Sequence, residues 1–224
     1  MKIIEINFAF FLNINKRIDY SKINQDIQSS IDRSFSDAPQ IINFPENAPA
    51  EIPRFHLNTL DNKFRISMSP IRLDVAFVAP VGSIGGEQIS EFLEDCKKLY
   101  SILRKISSID RFGFVHKSYL VSKDPVFDMK TSLFNSEVGD IFESQIRFVR
   151  MLEHDGLKYN NSFSFENGFK LDTKENIVLF QKDINTKVDQ SNLSNDQLNS
   201  SCELFLKDSK NIIDKMDLSE ILRG

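Results

Sequence analysis

Between Pro53 and Val78 apolar and polar residues alternate through three short segments. A strand with one buried face buries every second side chain, so this alternation predicts a three-strand meander. With Asp61-Asn62 at the tip of the first hairpin, Thr59, Leu57 and Phe55 fall opposite Phe64, Ile66 and Met68, while His56 and Asn58 face Ser67 and Arg65 on the other side. A second turn near Ser69-Pro70 continues the pattern. It is expected to set Ile66 opposite Leu73 and Phe64 opposite Val75 inside, and Arg65 opposite Asp74 outside as an ion pair.

Around this meander the periodicity gives further elements. Ile4, Ile6, Phe8, Phe10 and Leu12 recur at every second position and predict an opening strand, central because its far end is apolar on both sides. From Ser21, read as an N-cap, Ile23, Ile27, Ile31 and Phe35 predict a short helix ending before Asp37-Ala38-Pro39. Pro45, Pro49 and Pro53 then mark residues 37–52 as a surface loop. Within it Ile41, Ile42, Phe44 and Pro45 form a group more apolar than a connection requires. That group either folds back as a lid over the core or stands out as an anchor for a partner or a second protomer.

After the meander, Ile89, Phe92, Leu93, Cys96, Leu99, Tyr100, Leu103 and Ile106 fall at helical spacing and predict a helix that covers the sheet. Ile109 to Ser122 reads as a strand, closed by Lys123-Asp124-Pro125. Phe142–His154 and Leu157–Phe165 read as a hairpin around Asp155-Gly156, with Leu152 opposite Tyr159 and Phe148 opposite Phe163. Asn167-Gly168 signals another turn, Ile177 to Ile184 a strand, and Ser194 with Gln197 a capping box opening a last helix with Leu198, Cys202, Phe205, Ile212 and Met216. Runs of strands followed by a long helix make the fold class α+β, with antiparallel sheets in two related strand-meander-plus-helix lobes, residues 1–125 and 126–224, packed together as one unit. No residue-level repeat accompanies the repeated order of elements.

Composition narrows the function classes. The 224 residues include 20 Phe, 4 Tyr and no Trp, so the core is expected to be built from Phe, Ile and Leu. A net charge of -4 offers no overall attraction to phosphate backbones or anionic lipid. No apolar run approaches the roughly 20 residues of a membrane helix, and the N-terminal stretch alternates too strongly for a signal peptide; a cytoplasmic protein without a membrane partner is expected. Cys96 and Cys202 each fall on the apolar stripe of a helix and read as core residues.

The sequence carries no recognisable reacting group. Gly82 and Gly85-Gly86 precede a helix, but the Lys and Ser/Thr of a phosphate loop are absent and Glu87, Glu91 and Glu94 would repel phosphate. His56, His116 and His154 lack a second ligand at metal spacing, so no metal and no cofactor is expected. The acidic pairs Glu94-Asp95 and Glu153/Asp155 read as solvated, and Asp183 as a cap for the loop into the last helix. Arg147 and Arg150 straddle Phe148, which raises a basic, aromatic-bearing sheet surface suited to nucleic acid; alternation, however, puts Phe148 on the face opposite Arg147, in the core.

The opening Ile3-Ile4-Glu5-Ile6-Asn7-Phe8, the meander from Pro53-Arg54-Phe55 to Arg72-Leu73-Asp74-Val75, the strand Ile109-Asp110-Arg111-Phe112-Gly113-Phe114 and the run Val178-Leu179-Phe180-Gln181-Lys182-Asp183-Ile184 together resemble a family of uncharacterised, sporadically distributed bacterial proteins of similar length. An aromatic start to the middle helix, common in that family, is missing here. The resemblance brings no activity; it implies a bacterial or phage protein in a defence or counter-defence setting. Taken with the lack of a reacting group, the reading is a non-catalytic binding protein that works through protein–protein contact, with a protein partner or a homo-oligomer and with Ile41, Ile42, Phe44, Arg147 and Arg150 as candidate binding residues. The alternatives are a nucleic-acid or nucleotide binder and an enzyme with an unrecognised site.

Overall fold

The computed structural model describes residues 1–13, 18–36, 38–45, 47–79, 82–133, 145–187 and 192–214. Their elements run β1 (Lys2–Asn13), α1 (Tyr20–Ser30), β2 (Gln40–Ile41), β3 (Phe55–Asn58), β4 (Phe64–Ser69), β5 (Arg72–Val78), α2 (Gly86–Leu103), β6 (Ser108–Val121), α3 (Pro125–Leu133), β7 (Gln145–His154), β8 (Leu157–Phe169), β9 (Asn176–Thr186) and α4 (Asn195–Ile213). The fold is mixed α+β, and the strands form one antiparallel sheet in the order β2-β3-β4-β5-β1-β6-β9-β8-β7. As expected for a strand apolar at its far end, β1 is central, paired with β5 on one side and β6 on the other.

Alternation decides which face of the sheet is dry. Ile6, Phe8 and Phe10 on β1, Phe64 and Ile66 on β4, and Phe112 and Phe114 on β6 point to one side and are buried there with the apolar stripes of α1, α2 and α4. Phe205 of α4 stacks on Phe114 with ring centroids 4.9 Å apart, and Phe64 meets Phe92 of α2 edge-on at 6.1 Å. Met129 of α3 packs on the same side, against Phe165, Val178 and Phe180. All four described helices therefore lie on one face.

The first hairpin has the expected register, Phe55↔Met68, His56↔Ser67, Leu57↔Ile66 and Asn58↔Arg65. The second is offset by two residues from expectation: Phe64 lies opposite Phe77, Ile66 opposite Val75 and Met68 opposite Leu73. A tight Pro70-Ile71 turn, held by the Ile71 N–H donating to Ser69 Oγ, brings Ser69 opposite Arg72 and causes the offset. Because the offset is two residues, every side chain keeps its face. Arg65 consequently lies opposite Ala76, and Asp74 pairs instead with Arg72, two residues away, at 2.6 Å.

Other expectations are corrected in the same physical terms. An irregularity between Ile3 and Glu5 turns Ile3 rather than Ile4 into the core. Asp19, not Ser21, caps α1, its carboxylate accepting from the Lys22 N–H at 3.1 Å; the helix ends at Ser30, and Phe35 bridges to Thr59. The segment 37–52 contains the two-residue strand β2, which pairs with β3 and leaves Ile41 and Ile42 about two-fifths exposed, so those isoleucines do not form a buried lid. Asp124-Pro125 closes β6 but also starts α3: Asp124 Oδ1 accepts from the Phe127 N–H at 3.0 Å, and proline suits the first helical position. Asn167-Gly168 is no turn; β8 runs through it to Phe169, and a Cβ at Gly168 would come within 3.3 Å of Leu179 across the ladder.

The hairpin at Asp155-Gly156 forms as expected, both residues at positive φ, with Leu152 opposite Tyr159 and Phe148 opposite Phe163. Phe142 and Met216 lie outside the described residues. Ser194 and Gln197 make the expected capping box on α4. Asp95 is buried rather than solvated, bound to Arg33 at 2.6 Å, and the Arg33 guanidinium lies 4.4 Å from the Phe64 ring centroid. That pair ties the chain after α1 to α2.

Candidate interaction surface

With the four helices on one side, the other face of the sheet is covered by no described helix. Its side chains follow from register. One row across the strands reads Arg65–Ala76–Asn7–Val115–Asp183–Ser162–Val149, and the next reads Ser67–Asp74–Ala9–Gly113–Asn185–Asn160–Met151. Ala9 and Gly113 leave the middle of the second row low, and the Asn185 side chain occupies the space a Cβ at Gly113 would need. Beside that row, Phe11 is sandwiched between the guanidinium groups of Arg72 at 5.0 Å and Arg111 at 4.4 Å. A shallow hollow of about 430 Å³ lies on this face over β1, β3, β4 and β5, lined by Asn7, His56, Asn58, Arg65, Ser67 and Asp74 among others. A smaller one of about 170 Å³ lies beside Lys117, Gln181 and Ser164.

Asp183 lines neither hollow. It does not cap a strand end: it lies within β9, opposite Val115 and Ser162, and its carboxylate accepts from the Asn185 amide. Burial pushes its pKa up, and Asn185 together with the more distant Arg147, Arg72 and Arg111 only partly opposes this. Each of those arginines is engaged elsewhere: Arg72 with Asp74, Arg111 with the Thr186 carbonyl at 3.2 Å, and Arg147 with Ser162 Oγ at 3.1 Å. The result is a partly desolvated carboxylate on the β9 part of the face with no ion-pair partner among the described residues.

Lys182, one residue earlier, points the opposite way and is only 4% exposed beneath α4. Its ammonium pairs with Asp208 of α4, whose other oxygen stands 3.7 Å from Nε2 of the fully buried His116. Burial lowers the pKa of both Lys182 and His116. Burial alone would raise Asp208, but the nearby His116 and Lys182 bring it below the usual carboxylate range. At 3.7 Å the His116–Asp208 contact is electrostatic and not a hydrogen bond. His116 and Lys182 are directly opposite each other in the β6–β9 ladder, so the cluster is a cross-strand pair closed by one helix residue. The Lys182–Asp208 ion pair joins α4 to the sheet, while both ring nitrogens of His116 and the second Asp208 oxygen are buried without a hydrogen-bond partner.

The sequence-derived candidates do not form one site. Ile41 ends β2 at one end of the sheet, with Ile42 directly after it and Phe44 partly buried beyond, whereas Arg147 and Arg150 lie on β7 at the other end. Arg147 projects onto the uncovered face, but Arg150, three residues on, projects to the other, 4.9 Å from the Phe163 ring centroid. The two arginines therefore make no joint basic patch, and Phe148 is 45% exposed rather than in the core because β7 is an edge strand. The sequence reading assigns Asp183 a capping role and does not connect Lys182, Asp208 and His116. Alternation marks Lys182 as inward-facing between Phe180 and Ile184, but the partner on α4 is known only once helix and sheet meet.

Among the described residues no group of three or more His, Cys, Asp or Glu side chains is arranged to hold a metal, and no helix is long and apolar enough to cross a membrane. Comparison of the chain with protein-family models and with curated proteins finds no match.

Proposed function

We propose that the protein is a non-catalytic binding protein that holds another protein against the uncovered face of its sheet. The observation that carries this reading is Asp183. A carboxylate kept partly out of water without an ion-pair partner costs stability, and such groups recur where a protein meets a ligand. A lysine, arginine or amide donor on the partner would complete it. Positive and negative groups alternate on this face, with Arg65, Arg72, Arg111, Lys117 and Arg147 set among Glu5, Asp74, Asp183 and Glu166, which suits a mixed-charge protein surface better than a phosphate backbone. Phe11 offers no free ring face for a stacked base, since arginines occupy both sides. The order of elements outward from the β1/β6 seam supports reading the halves as one duplicated architecture, and the bacterial or phage defence setting implied by the resemblance belongs to the same proposal.

The test is affinity capture from the native host with the wild type and with Asp183→Arg and Arg111→Glu, each checked for unchanged secondary structure. Loss of one specific protein in both variants is expected. Retention of that protein by both folded variants would overturn the assignment of the face.

A further inference from the structure

The two edges of the sheet differ in kind. β2 is two residues long, whereas β7 runs for ten, and no described strand pairs with its outer side. Both faces of β7 carry exposed apolar side chains: Phe148 at 45% on the helix side, and Val149 at 59% and Met151 at 56% on the uncovered side. Long, apolar, unpaired edges template strand addition, and proteins that remain monomeric blunt them with charge, proline or brevity. β7 has no proline, and its arginines alternate with apolar residues.

The sequence of β7 is complementary to itself in one register. An antiparallel pair of identical strands places a two-fold axis on one residue and keeps each side chain on its own face. With the axis at Val149, Ile146 falls opposite Leu152, Phe148 opposite Arg150, Arg147 opposite Met151 and Gln145 opposite Glu153. Nine residues pair and no like charges meet, and each Arg150 gains an aromatic ring across the axis. Moving the axis to Arg150 sets the two guanidinium groups against each other. An axis at Phe148 or Met151 leaves fewer residues paired.

We propose that β7 pairs antiparallel with β7 of a second copy about an axis at Val149, joining two sheets edge to edge. The helices of both copies then share one side, and the two uncovered faces form one continuous surface. This interface does not depend on what Asp183 binds.

Two measurements decide it on the full chain. Light scattering across a concentration series is expected to show mass rising to that of a dimer, and Val149→Asp to weaken the dimer about tenfold or more by placing two carboxylates on the axis. Val149 is largely exposed, so the variant should keep its circular dichroism. Mild oxidation of Val149→Cys is expected to give a covalent dimer and Arg150→Cys none; the native Cys96 and Cys202 are buried, with burial pushing Cys202 up to about 12, and do not compete. A monomer at every concentration, a dimer indifferent to Val149→Asp, or self-linking at residue 150 instead of 149 would each overturn the proposal.

Discussion

Lys182 and Asp183 are neighbours in one strand, yet the sheet sends them into opposite environments. On the covered face Lys182 meets a carboxylate brought by α4, and the charge becomes part of what fastens the helix. Across the sheet Asp183 meets an amide and three arginines occupied elsewhere. The same period-two geometry thus makes one charge structural and leaves its neighbour available. The difference lies in whether the fold itself supplies the partner.

The largest effects should come from undoing the covered side. Asp208→Ala strands the Lys182 ammonium under α4 and is expected to cost about 3 to 5 kcal/mol in chemical denaturation. The double variant Lys182→Met with Asp208→Leu removes both charges and should recover most of that loss; failure to recover would mean that the loss does not come from the unpaired ammonium. Ile66→Ala, at the fully buried centre of β4, is expected to cost about 2 to 5 kcal/mol.

A pH titration probes the same cluster. His116 is held neutral by burial, facing Lys182 from β9, Asp208 from α4 and the rings of Phe114 and Phe180. Its folded pKa lies below the unfolded value, so the unfolded chain takes up the proton first, and stability should fall as pH drops through about 6.5. Asp208, lowered in the fold, adds a second loss only in stronger acid, as pH falls below the unfolded carboxylate value. His116→Phe should flatten the first loss and leave the second, read by melting temperature against pH.

Small effects are expected on the uncovered face. Arg65→Ala, which removes an exposed side chain opposite Ala76, should cost under about 1 kcal/mol. Asp183→Asn should raise the melting temperature slightly at neutral pH. Its carboxyl pKa is raised in the fold, so the charged form opposes folding at neutral pH and this penalty fades as pH falls through the raised value. A fall in melting temperature on Asp183→Asn would instead make Asp183 a structural residue like Lys182.

Much of this architecture is legible in the sequence because strand alternation is a local signal. The first hairpin, the Asp155-Gly156 turn, α2 and the α4 capping box all follow from residues close together in the chain. Failures occur where a short signal has two meanings. Asp124-Pro125 ends a strand and also caps and begins α3; Asn167-Gly168 has the composition of a turn but serves a close cross-strand approach. Arg33 with Asp95, and Lys182 with Asp208, are pairings 62 and 26 residues apart, which no periodicity reveals. Sequence alone therefore assigns Asp183 a capping role, because its distinctiveness depends on which arginines the neighbouring strands bring near and what else those arginines bind.

Under the proposed function a partner protein sits on the uncovered face that carries Asp183 on β9. A photo-crosslinking amino acid placed at Val115 on that face, and separately at Glu203 on the exposed side of α4, tests it directly in the native host. One specific protein crosslinked from Val115, absent from Glu203 and lost when Asp183→Arg is added, is the predicted result. Crosslinking of the same protein from Glu203 but not from Val115 would place the working surface on the helices and contradict the account.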